Sequence, residues 1–73
     1  MKITLTNDFH GTETNMIVYG YGYLGYEVSV RAARRAQRKL CGVAGCRCGI
    51  TRGGRYDLCI DDGRAWIEDR EEV

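Results

Sequence analysis

Residues 29–42 read Ser-Val-Arg-Ala-Ala-Arg-Arg-Ala-Gln-Arg-Lys-Leu-Cys-Gly, and the rest of the chain is placed by what this stretch must do. Between Ser29 and Gly42 there is no glycine or proline, and Ala, Arg, Gln, Lys and Leu all favour helix. Ser29 is suited to cap the start, because its hydroxyl accepts from an otherwise unpaired amide of the first turn. Gly42 stands where a C′ glycine belongs, and cations late in the segment suit the helix dipole. The pattern predicts a helix over 30–41. Val30, Ala33, Ala36, Leu40 and Cys41 form its apolar stripe, and Arg31, Arg34, Arg35, Arg38 and Lys39 its opposite face. A stripe of small alanines lets a helix lie close to its support, which points to a sheet beneath it.

The flanks supply that sheet. Residues 2–6 alternate polar and apolar, with Ile3 and Leu5 on one face, until Asn7-Asp8 breaks the pattern. A second strand is expected over about 13–19, with Met16 and Val18 on one face. The loop near Phe9-His10-Gly11 joins the two as a hairpin. Beyond the helix, residues 42–55 carry glycines at 42, 45, 49, 53 and 54 and read as an irregular crossover. Tyr56, Leu58 and Ile60 then alternate with Asp57 and Cys59. Asp61-Asp62-Gly63 is a turn signal, 65–68 is the return strand, and the tail 69–73 should fray. The expected fold is therefore α+β. One antiparallel sheet of about four strands, in ββαββ order, carries a single basic helix across one face.

With 73 residues, the chain has room for one domain, covering 1–73, and little core to spare. Its formal net charge is only +1, yet the charge is segregated. Residues 31–55 hold eight cations and no acid, whereas 57–73 hold seven acids. A chain-wide pull on nucleic acid is not expected, but a local basic surface is. No apolar stretch resembles a signal peptide or a membrane span, so the expected compartment is the cytosol. Cysteines there stay reduced or bind metal.

Four cysteines are the sharpest local feature. Cys41, Cys46 and Cys48 follow a C-x4-C-x-C spacing inside the glycine-rich stretch, and Cys59 comes later. Thiolates so close in a flexible loop can converge on one Zn2+, with Cys59 or His10 as fourth ligand. A structural zinc would also staple a domain with so small a core. The competing expectation is four free thiols packed as small hydrophobes.

Two further features point to a partner. The five helix cations suit phosphates or an acidic protein surface, against the alternative of a solvated face. Tyr19, Tyr21, Tyr23 and Tyr26 are interleaved with Gly20, Gly22 and Gly25. Tyr21 and Tyr23 are candidate partner contacts, since exposed tyrosine gives rigid contact area; the alternative is strand alternation with one face packed. Catalysis is not expected. His10 has no evident nucleophile to serve, and Asp61, Asp62 and Glu68 are ordinary hairpin acids. Gly20-x-Gly22-x-x-Gly25 lacks the strand–turn–helix setting of a dinucleotide site.

The segment Leu5-Thr6-Asn7-Asp8-Phe9-His10-Gly11-Thr12, followed by Leu40-Cys41-Gly42-Val43-x-x-Cys46-x-Cys48-Gly49, resembles small uncharacterised proteins of bacteriophages and mobile elements. The layout is also similar to small type I anti-CRISPR proteins. The shared parts are a Ser-initiated basic helix from Ser29 to Leu40, a cysteine at its end, and a last hairpin with Asp62-Gly63-Arg64-Ala65-Trp66. That resemblance implies a ββαββ-like sheet with one helix in the cytoplasm of a bacterial host. It implies an inhibitor that binds a Cas surveillance complex and occludes nucleic acid, as monomer or homodimer. Arg31, Arg34, Arg35, Arg38 and Lys39 would be its contacts. A small nucleic-acid-binding module, zinc-stapled, is the alternative.

Overall fold

The computed structural model describes residues 1–71. Five strands and one helix follow in the order β1 (Lys2–Asn7), β2 (Thr12–Ile17), β3 (Tyr26–Val28), α1 (Val30–Leu40), β4 (Tyr56–Asp61) and β5 (Arg64–Asp69). The α+β class and the single helix are as expected. The strands, however, form two antiparallel sheets: a β1-β2 hairpin and a three-stranded sheet ordered β3-β5-β4.

The departure from one four-stranded sheet has a local cause. After Ile17 the glycine–tyrosine segment does not prolong β2. Gly22 donates its N–H to the Gly25 carbonyl at 2.8 Å, and the chain turns back as β3 on the free edge of β5. Gly25 makes this approach feasible. Its φ is +136°, and a Cβ there would sit 2.3 Å from the Ile67 carbonyl oxygen. Among the described residues, the far edge of β1 takes a parallel bridge between Asn7 and Arg52. There Arg52 N–H donates to Thr6 O, and Asp8 N–H to Arg52 O, each at 2.9 Å.

The helix starts as predicted, with the Ser29 hydroxyl accepting from the Ala32 amide at 3.1 Å. It ends differently. Cys41 is the C-cap in extended conformation (φ −151°, ψ 104°), and Gly42 does not take the left-handed geometry of a C′ glycine. Thr12 of β2 holds this end, its hydroxyl donating to the Leu40 carbonyl at 2.6 Å.

The core lies between α1 and both sheets. Ile3, Leu5 and Val18 of the hairpin meet Ala33, Ala36 and Leu40 of the helix and Leu58, Ala65 and Ile67 of the second sheet. Leu5, Leu40 and Ile67 are fully buried, each worth about 1.5–3 kcal/mol of apolar transfer. No helix among the described residues is long and apolar enough to cross a membrane.

The expected fraying of the tail is corrected for residues 69–71. Asp69 is buried and takes a two-pronged hydrogen bond from Arg55, both contacts 2.9 Å. Arg70 donates to the carbonyls of Gly53 and Gly54 and pairs with Asp57 at 3.1 Å. The remainder of that tail, Glu72 and Val73, lies outside the described residues.

Candidate metal centre and basic helix

Three elements converge at the C-terminal end of α1. The β1–β2 turn brings His10, the helix C-cap brings Cys41, and the glycine loop brings Cys46 and Cys48. Left-handed Gly45 (φ +74°) and Gly49 (φ +71°) bracket the Cys46–Cys48 pair and fold the loop back. The three sulfurs and an imidazole nitrogen all lie within 4.8 Å of one another. His10 Nε2 is 3.3 Å from Cys46 Sγ. A tetrahedral zinc at its usual bond lengths separates sulfurs by about 3.8 Å, and sulfur from nitrogen by about 3.6 Å. The cluster therefore needs only small side-chain adjustments to enclose an ion, and its Cys3His donor set is a known structural zinc set.

Asn7, which the sequence marks only as a strand breaker, organises this cluster. Its side chain is fully buried. Oδ1 accepts the amide N–H groups of Phe9 (3.0 Å) and His10 (3.3 Å), fixing the turn that presents the imidazole. Nδ2 donates to Cys48 Sγ (3.3 Å) and to the carbonyls of Ile50 (3.3 Å) and Gly49 (3.5 Å). One amide thus ties the histidine turn to the cysteine loop. The N–H on sulfur favours the thiolate and, against the opposing effect of burial, brings Cys48 down to about 7. A donor to a ligand sulfur is the kind of outer-shell contact that orients metal ligands.

Cys59 does not join. It sits on β4 beside Asp57 and Glu68, apart from the other three thiols. Burial first, then those two carboxylates, push it up to about 11, so it stays a protonated thiol at neutral pH. The fourth member of the cluster is His10, the alternative candidate, rather than Cys59. The carboxylates beside Cys59 are also engaged: Asp57 accepts from the Thr51 hydroxyl and pairs with Arg70, and Glu68 accepts from Trp66 Nε1 at 3.2 Å.

The helix cations are arranged as the periodicity predicts. Arg31, Arg34, Arg35, Arg38 and Lys39 are all exposed. Among the described residues, ion pairs are made by Arg55, Arg64 and Arg70, with Asp69, Glu71, Glu27 and Asp57. Much of the acidic C-terminal half is thus neutralised internally, and the helix face is not. The two tyrosine candidates part company. Tyr21 packs edge-to-face on Tyr26 at 4.7 Å, whereas Tyr23 at the tip of the turn is fully exposed.

Comparison with known protein families, with curated proteins and with solved structures gives no match to this chain.

Proposed function

We propose that this chain is a small non-enzymatic binding module that grips an anionic macromolecule, nucleic acid foremost, with the cationic face of α1. A zinc ion held by His10, Cys41, Cys46 and Cys48 would supply the staple. It would lock the C-terminal end of that helix to the β1–β2 turn and the cysteine loop. The observation that carries the proposal is the asymmetry of pairing. Five helix cations stand exposed without an ion pair among the described residues, while three of the five arginines outside the helix, Arg55, Arg64 and Arg70, are consumed by internal acids. Unpaired cations on a rigid face displace counterions from phosphate, and that release drives association.

The test is binding of the zinc-loaded protein to labelled oligonucleotides across a salt series. Affinity should fall as a power of salt, with about 0.7–0.9 of slope per phosphate contacted. Combined Arg34→Glu, Arg35→Glu and Arg38→Glu substitutions should abolish binding while the circular dichroism spectrum is retained. Undiminished binding by that folded variant refutes the proposal. Metal analysis should return one zinc per chain.

A second function, an inhibitor or accessory protein of a bacterial complex of the anti-CRISPR type, is favoured by one specific observation. Tyr19 and Tyr23 are 85% and 102% exposed, and unburied aromatic rings are typical anchors of protein interfaces. A surface that grips nucleic acid is itself cationic. The tyrosines, not the arginine face, would then make that contact. Affinity capture from a nuclease-treated lysate carrying a CRISPR system separates the two. Retained Cas subunits that a Tyr19→Ala, Tyr23→Ala variant loses would favour inhibition. Their absence beside salt-sensitive oligonucleotide binding would favour the nucleic-acid module.

A further inference from the structure

Phe9 is out of place for a residue of its kind. It is 60% exposed and, unlike tyrosine, has no polar group to satisfy in water. It is also held from beneath. Its amide donates to buried Asn7, so its backbone is fixed in the turn. The guanidinium of Arg52 lies over the ring, 5.7 Å from its centroid, and the His10 ring meets it edge-on at 5.0 Å. Arg52 is fixed as well, through its backbone bridge to Thr6 and Asp8.

The surroundings are cationic. Exposed Arg47 stands between Cys46 and Cys48. Arg38 helps line an open groove of about 370 Å³ along Cys41, Val43, Cys46 and Cys48. The nearest acid in sequence is Asp8, whose carboxylate lies against Gly53. An aromatic ring under an arginine, with exposed Arg47 on the cysteine loop and Arg38 at the end of the helix, is a combination that serves unpaired bases. The ring stacks a base while the cations track the backbone. In a duplex the bases are stacked on one another and out of reach of such a ring.

We propose that Phe9 and Arg52 form a stacking platform for a base of single-stranded nucleic acid. The phosphates flanking that base would lie against Arg47 and Arg38. This rests on the nucleic-acid function proposed above and narrows it to unpaired strands.

The experiment measures binding of the zinc-loaded full chain to a labelled oligothymidylate and to a blunt hairpin duplex. Wild type, Phe9→Ala and Phe9→Trp are compared, with zinc content and circular dichroism checked for each. Phe9→Ala should weaken oligothymidylate binding by about 5- to 150-fold, the range for losing one stacked base. It should leave duplex binding within about twofold. Its salt dependence should not change, because no phosphate contact is lost. Phe9→Trp should restore single-strand affinity. A zinc-loaded Phe9→Ala protein that binds oligothymidylate as the wild type does overturns the platform and leaves the cationic helix in place. Wild-type protein that binds neither oligonucleotide overturns both.

Discussion

Replacing Asn7 by alanine removes a buried side chain that holds the His10 turn and the cysteine loop together. Five contacts disappear: two amide donors lose their acceptor, and Cys48 Sγ and two carbonyls lose their donor. Groups near the surface can turn to water. Those left buried cost about 1–3 kcal/mol each, so a net loss of about 3 kcal/mol is expected. At about 0.05–0.15 kcal/mol per residue, a chain of 73 residues has about 4–11 kcal/mol in all, so the metal-free variant should melt far lower. Zinc affinity should fall about 10- to 100-fold, the usual consequence of losing an outer-shell donor. Thermal melts of metal-free protein give the first quantity, and competition with a chromophoric chelator gives the second. Asn7→Asp separates the two. It keeps an acceptor for the Phe9 and His10 amides but sets a carboxylate oxygen against the Cys48 sulfur. That variant should fold better than Asn7→Ala while still binding zinc poorly. An Asn7→Ala protein that keeps wild-type zinc affinity and melting temperature refutes the role assigned to this residue.

Serine at position 41, 46 or 48, or alanine at His10, should reduce zinc retention on gel filtration below one per chain, whereas Cys59→Ser should retain it in full. Asp69 is held below the ordinary carboxylate range by the hydrogen bond from Arg55. Its contribution is therefore present above the unfolded value near 3.8 and is lost as pH falls through the lower folded value. Asp69→Asn should flatten the acid limb of stability measured by denaturant titration below pH 4. Gly25→Ala meets the Ile67 carbonyl at 2.3 Å and should cost at least about 2 kcal/mol in urea unfolding. Gly11→Ala, at φ +67° with open space around it, should cost only about 1–2 kcal/mol.

The helix was legible because its determinants are local: a serine cap, uninterrupted helix formers and a period of apolar residues. The β4–β5 hairpin was legible for the same reason, with Asp62-Gly63 between two alternating runs. β3 was not. It has three residues, follows a glycine–tyrosine segment, and exists because β5, some forty residues later, offers it an edge. The cysteine spacing exposed three members of the cluster, yet no spacing could choose between His10 and Cys59. That choice depends on which loop lies at the end of α1. Asn7 was missed altogether, since a strand-ending Asn that caps its own turn is common and its other partners, in the cysteine loop, lie some forty residues ahead. A buried polar residue declares itself only once its surroundings are known.

The hydroxyl of Thr12 fastens the last turn of α1 to β2 without help from the cysteines. Release of an ion bound there would therefore not undock the helix. Without an ion, the stretch between Gly42 and Gly49 would rest on the Asn7 hydrogen bonds to Cys48 and Gly49, with the strand-like bridge at Arg52 beyond its far end. Loss and recapture of a bound ion would be a matter of one short loop opening and closing, a fluctuation far less costly than global unfolding. Amide exchange and protease nicking in that loop would then rise on chelation, ahead of any change in the core. The rate at which the ion leaves would be set by eight residues rather than by the whole fold.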